Sequence, residues 1–194
     1  MRELSAIAVF CGSNAGGSPD YAKGAARLGT HFAHGGIKLV YGGTHKGLMG
    51  ALADALLAAQ GQAHGVITER LHAKGHLHQG LQTHEVVATM RERKGRMADL
   101  SDAFIALPGG IGTLEEFMEV WTLNQLGEIQ KPLGLYNING FFDPFMAFID
   151  HMIAERFLPP EHRGAIVLES DPQKLLQGLH DYQPTTVPKW LPSA

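Results

Sequence analysis

The 194-residue chain is 44% hydrophobic and 18% charged, which suits one α/β domain with an ample core and excludes a disordered or fibrous protein. A net charge of −3 and a pI near 6.4 leave no basic footprint for nucleic acid, and a single cysteine, Cys11, excludes an internal disulfide framework. No stretch is long and apolar enough to span a bilayer, and the apolar run within MRELSAIAVFCGSN is too short for a signal peptide, so a cytoplasmic protein with no membrane or nucleic-acid partner is expected.

In chain order, the apolar run Ala6–Phe10 reads as a first strand and leads into Cys11-Gly12-Ser13. Ser18-Pro19-Asp20 is a helix start, a capping serine followed by proline at the first helical position. That helix ends near Gly35-Gly36, before a second strand at Ile37–Tyr41. Gly42-Gly43-Thr44-His45-Lys46-Gly47-Leu48-Met49-Gly50 follows and opens an Ala/Leu-rich helix to about Gln60. Strands are expected at Ala63–Thr68, Glu85–Ala88, Ala103–Leu107, Leu133–Tyr136 and Ala165–Leu168. Leu71–Gln82 is polar and rich in His and Gly, and reads as a loop or a short irregular helix. A charged helix starts near Met90, and others cover Pro144–Ala154 and Pro172–Leu179.

This alternation predicts a single-domain α/β fold, a Rossmann-like doubly wound parallel sheet with helices on both faces. The domain covers 1–180, and 181–194 forms a proline-bearing C-terminal tail. Ligands of such sheets bind beyond the carboxyl ends of the strands. Cys11-Gly12-Ser13, Gly42-Gly43, Met90–Lys94 and Pro108–Glu116 all follow strands, so all four are expected along one edge.

Pro108-Gly109-Gly110-Ile111-Gly112-Thr113-Leu114-Glu115-Glu116 carries the most chemistry. It joins a strand to a helix whose apolar residues, Leu114, Phe117, Met118 and Trp121, fall at helical spacing. A glycine turn at a helix N-terminus bares N–H groups toward an anion. Two carboxylates, Glu115 and Glu116, are then expected in the first helical turn. Gly110-Ile111-Gly112 begins like a dinucleotide fingerprint, but position 115 is Glu where a third glycine belongs, and no P-loop signature occurs. Met90-Arg91-Glu92-Arg93-Lys94 places three cations at another helix start, where the macrodipole disfavours them unless an anion is present. Arg93 and Lys94 are the candidates to face that anion; Arg91 and Arg96 read as a solvated face. His72, His76, His78 and His84 cluster in the irregular segment without the partners of a metal site, and no metal is expected. Cys11 reads as a small buried residue near the site edge.

Together, Cys11-Gly12-Ser13, Gly42-Gly43…Gly47-Leu48-Met49-Gly50, Met90-x-x-Arg93-Lys94 and Pro108-Gly109-Gly110-x-Gly112-Thr113-x-x-Glu116 resemble the Lonely Guy family of cytokinin riboside 5′-monophosphate phosphoribohydrolases, many of which carry the label lysine decarboxylase. The resemblance covers about residues 5–180. It implies a homodimer that hydrolyses the N-glycosidic bond of an adenine nucleoside monophosphate without a cofactor. It also implies that Arg93 and Glu116 are the catalytic pair. Gly109, Gly110, Gly112 and Thr113 would hold the 5′-phosphate, and Lys94, Ser13, Gly43 and Glu69 would bind substrate. Thr68 stands where the family often has proline. Candidates for the base pocket are Met49, Met90, Phe117 and Trp121. Two alternatives stand beside this reading. One is a non-catalytic nucleotide or cofactor carrier on the same fold. The other is pyridoxal phosphate chemistry, for which Lys94 is the only lysine expected near the site.

Overall fold

The computed structural model describes residues 4–184. Seven strands form one sheet: β1 (Ala6–Phe10), β2 (Lys38–Tyr41), β3 (Ala63–Thr68), β4 (Thr83–Val87), β5 (Ala103–Ala106), β6 (Leu133–Tyr136) and β7 (Ile166–Glu169). Their order is β4-β3-β2-β1-β5-β6-β7, and every neighbouring pair is parallel. The expected doubly wound architecture is therefore present. Strand bounds differ from the sequence reading by one or two residues at β2, β4, β5 and β7. Of the expected tail, only 181–184 fall within the described residues; the remainder lies outside them.

The helices are α1 (Pro19–His34), α2 (Gly47–Ala58), α3 (Glu69–Ala73), α4 (Met90–Asp99), α5 (Ile111–Gln125), α6 (Asp143–Ala154), α7 (Pro160–Gly164) and α8 (Pro172–His180). The short α7 carries no periodic signal and was not expected. In α1, Ser18 accepts the Asp20 N–H and Pro19 occupies the first turn, as the sequence indicates.

Strand side chains alternate between two cores. Ile7, Val9, Leu39, Tyr41 and Ile105 pack with α1, α2 and α8 on one face. Ala8, Phe10, Val40, Phe104 and Ala106 pack with α4, α5 and α6 on the other. Burial on both faces explains why these strands read as continuous apolar runs.

The chain winds outward from β1 through β2 and β3 to β4, then crosses back to β5 beside β1. This places the topological switch point between β1 and β5, where their following loops part and leave a crevice. Pairing continues just beyond the strands: Leu107 N–H donates to Phe10 C=O at 2.9 Å and Gly12 N–H to Pro108 C=O at 3.0 Å.

Candidate active site

A cavity of about 560 Å³ opens at that crevice. Its wall comes from the carboxyl end of β1 (Phe10–Ser13), the β2–α2 loop (Gly42, Thr44, Lys46), the start of α4 (Met90, Arg93) and the start of α5 (Gly110–Thr113, Glu116). The four expected segments thus do meet at one edge.

Arg93 is placed by α4. Thr89 caps this helix, accepting the Glu92 N–H at 3.1 Å, while the Glu92 carboxylate accepts the Ala88 N–H at 3.0 Å. This reciprocal arrangement puts an acid in the first turn and offsets the cations expected to strain it. Arg93 then turns inward, 7% exposed. Its Nε donates to the Val66 carbonyl of β3 at 2.9 Å, and its Nη1 donates to Glu116 Oε1 at 3.1 Å. Gly42 makes room for it, since a Cβ there would fall 1.9 Å from Arg93 Nη2.

Glu116 comes from α5, and here the structure corrects the sequence reading. The helix begins at Ile111 with Gly110 as its cap, so no acid lies in the first turn and Glu115 and Glu116 occupy the second. Dipole compensation does not account for either. Leu114 N–H is accepted by Gly110 C=O, so the N–H groups of Ile111, Gly112 and Thr113 precede the first bond within the helix. Gly110 and Gly112 line the cavity, and a Cβ at either would meet nothing in the protein. Packing does not demand glycine at these two positions; their bareness keeps the cavity floor open. Gly109 differs, because a Cβ there would strike Thr113 Oγ1 at 2.1 Å.

Burial pushes the Glu116 carboxyl above the usual carboxylate range, and neighbouring Glu115 adds to this, against the opposing pull of Arg93 and Lys94. Cys11 lines the same wall. Its thiol is pushed far upward by burial and by Glu116, so it stays protonated.

Of the other expected substrate contacts, Ser13, Gly110, Gly112 and Thr113 line the cavity, whereas Gly43, Glu69, Lys94 and Gly109 do not. Lys94 swings to the outer side of α5, where it pairs with Glu115 and reaches Glu119 Oε2 at 2.9 Å. Thr68, in place of proline, caps α3 by accepting the Leu71 N–H. Met49 and Met90 are on the wall, but Phe117 and Trp121 are buried in the core beneath α5. Arg96 is not a free solvated charge, since it holds Glu85 with two hydrogen bonds at 2.7 and 3.0 Å. Of the four clustered histidines, His72 and His84 stay together and stack, while His76 lies beside His45 and His78 Nε2 bonds Asp54 at 2.9 Å. Sequence reasoning assigned no role to Thr44, Lys46 and Leu71, and read His76 only as part of a histidine cluster without metal partners, yet all four line the cavity. Their signal was position: Thr44 and Lys46 lie between β2 and α2, Leu71 in α3 directly after β3, and His76 between α3 and β4.

Residues 49–179 match the family described as "Possible lysine decarboxylase". A cytokinin riboside 5′-monophosphate phosphoribohydrolase of Arabidopsis thaliana is 43% identical over 178 residues, which cover 92% of this chain and 84% of the relative. The chain belongs to the Lonely Guy family. A further relative, a probable enzyme of the same name from Oryza sativa subsp. japonica, is 42% identical over 178 residues, 92% of this chain and 78% of that one. The fold extends beyond the Lonely Guy proteins. The molybdenum cofactor carrier protein of Chlamydomonas reinhardtii superposes with a TM-score of 0.71 at 19% identity, over 92% of this chain and 98% of that one. The molybdenum cofactor binding protein of Rippkaea orientalis gives 0.69 at 21% identity, over 93% and 98%.

The decarboxylase label of the Lonely Guy family model finds no support in Lys94. A Schiff-base lysine must shed its proton. Burial alone would favour that, but the hydrogen bonds and charges of Glu115 and Glu119 outweigh it and hold Lys94 above the ordinary lysine value. Nor is Lys94 the lysine nearest the site, as the sequence suggests; Lys46 is on the wall.

Proposed function

We propose that the protein hydrolyses the N-glycosidic bond of adenine nucleoside 5′-monophosphates, cytokinin riboside 5′-monophosphate or AMP, to the free base and ribose 5-phosphate. The observation that carries this reading is the buried Arg93–Glu116 pair on the wall of a cavity floored by the open N-terminus of α5.

The 5′-phosphate rests on the bare N–H groups at Gly110, Gly112 and Thr113, where the α5 dipole favours negative charge. Its binding energy fixes the ribose for reaction. Glu116, one turn further along α5, faces the ribose. As the C1′–N bond breaks, the sugar becomes oxocarbenium-like, and a carboxylate beside it lowers the barrier. Glu116 also orients the water whose oxygen bonds to C1′, while a proton of that water leaves with the base. Arg93 keeps Glu116 ionised and aimed, and adds positive charge where the departing base gains electron density. Ser13 completes the wall beside β1. Lys94 acts through its charge from outside it.

This reading extends to a cytoplasmic homodimer. Ile111 is 88% exposed and Met90 47% exposed at the cavity, apolar surface of a kind that a second subunit covers. Sedimentation of the full chain tests that point, with a monomer at working concentration counting against it.

The activity is tested by incubating the protein with AMP and with isopentenyladenosine 5′-monophosphate and chromatographing for free base and ribose 5-phosphate. The reading fails if neither nucleotide yields base under conditions where a known phosphoribohydrolase acts. Tight retention of nucleotide without turnover would favour a carrier.

A further inference from the structure

With Arg93 and Glu116 set against each other, the cavity wall keeps one cation that has no side-chain partner among the described residues, Lys46. The backbone beneath it is firmly held. Thr44 Oγ1 accepts the Lys46 N–H at 3.2 Å, Lys46 C=O accepts the Gly50 N–H at 3.1 Å, and Leu48 N–H donates to Gly12 C=O at 3.0 Å. Gly47, at φ +54°, lies so close to the β1–α1 loop that a Cβ would come 2.4 Å from the Ser13 carbonyl carbon. The β2–α2 loop is thereby pressed onto Ser13 and Asn14. The Lys46 side chain remains outside this net, exposed to solvent.

Its position is electrostatically unfavourable. Lys46 is the N-cap of α2, makes no side-chain cap bond, and is followed by no acid in the first turn. Caps are ordinarily Ser, Thr, Asp or Asn, and a cation at the positive end of a helix costs stability. The first turn of α5, across the end of β1, likewise holds no acid. Two helix N-termini and a lysine therefore converge on one cavity whose single carboxylate, Glu116, is already neutralised by Arg93. A dianion relieves all three at once.

We infer that Lys46 is a substrate-binding residue that contacts the 5′-phosphate from the β2–α2 side, opposite the N–H groups of α5. This rests on the nucleotide-hydrolase reading and supplies it with the side-chain cation that Lys94 does not. The ligand chemistry is a phosphate monoester, and lysine meets it as a mobile point charge.

The test compares the wild-type chain with Lys46→Ala and Lys46→Arg. Kinetics with AMP give KM and kcat, and calorimetry with ribose 5-phosphate gives affinity without turnover. Losing a charge-assisted contact should raise KM and the ribose 5-phosphate Kd of Lys46→Ala by roughly 10- to 100-fold. The loss should fall on KM rather than on kcat, and Lys46→Arg should recover most of it. KM of the wild type should rise with salt, and this rise should flatten in Lys46→Ala. A purely structural role would instead lower Tm and kcat together, and would overturn the inference. So would wild-type turnover with KM and Kd unchanged in Lys46→Ala, which leaves the hydrolase reading standing. Lys46-dependent binding of ribose 5-phosphate by a wild-type protein that releases no base would support the contact and sink the hydrolase reading.

Discussion

Arg93 Nη1 and Glu116 Oε1 lie 3.1 Å apart with their side chains only 8% and 11% exposed, joining α4 to α5 beneath the cavity. A pair this deep is held by geometry as much as by charge. Desolvation costs each ion heavily, and the Val66 carbonyl and the space left at Gly42 make the arrangement possible.

Removing either partner should have separable effects. Glu116→Gln keeps the shape and loses the charge, so base release should fall by roughly 10²- to 10⁴-fold, the range of a positioned acid–base group. Arg93→Ala should abolish turnover and also lower stability by about 3–5 kcal/mol, because Glu116 is left buried and uncompensated. Base release and urea unfolding of both variants check this. Full activity in either removes its assigned role.

The raised Glu116 pKa has a direction that can be tested in active enzyme. If the carboxylate is the working form, activity disappears as pH falls through that pKa, so the acid limb of kcat/KM should lie above the ordinary glutamate value of 4.5. Glu115 pushes the pKa up and Lys94 pulls it down. Glu115→Gln should therefore move the limb to lower pH and Lys94→Met to higher pH. Shifts in the same direction would detach the limb from Glu116.

Two glycines of one turn should respond in opposite ways. Gly112→Ala adds a methyl that touches no protein atom and improves a helical position, so stability should hold or rise by about 0.5–1 kcal/mol while KM for nucleotide increases. Gly109→Ala forces a methyl onto Thr113 and should cost about 1–3 kcal/mol. Thermal melts beside KM values distinguish them. An unchanged KM in Gly112→Ala would move the phosphate elsewhere.

At the amino ends of the central strands β1 and β5, opposite the cavity, Asp102 Oδ2 accepts from Ser5 N–H, Ser5 Oγ and Ala6 N–H at 2.9, 2.8 and 2.9 Å. Burial works against its ionisation, but those bonds prevail and hold its pKa below the ordinary 3.8. A depressed folded pKa contributes stability above the unfolded value and loses it as pH falls through the folded one. Asp102→Ala should cost about 1.5–3 kcal/mol at neutral pH. The deficit should shrink below about pH 4. Melts across that range check it, and a deficit independent of pH would assign the loss to packing instead.

Much of this molecule was legible in the chain. β1, β3 and β6 fall where their apolar runs stand, and Ser18-Pro19 starts α1, because alternation and capping act between near neighbours. The meeting of four loops at one edge followed from parallel winding. Glu115 and Glu116 were expected in the first turn of the helix after Pro108-Gly109-Gly110, but α5 begins at Ile111 and carries them in its second. Gly110-Ile111-Gly112 reads as a turn, yet Ile111 and Gly112 are helical, and Thr113 packs so close to Gly109 that no Cβ fits there. Which side chains face the cavity was readable only in part: Arg93, Glu116, Ser13 and Thr113 line it as expected, whereas Lys94, Glu69 and Gly43 do not, and Lys46 carried no signal of its own. Arg93 and Lys94 are adjacent cations, yet a helix rotates about 100° per residue. Contacts with Val66, Gly42 and Glu116 turn Arg93 inward, and Glu115 and Glu119 draw Lys94 out. Local sequence determined the elements and their common edge; packing between elements distant in sequence decided which cation, Arg93, Lys94 or Lys46, meets what.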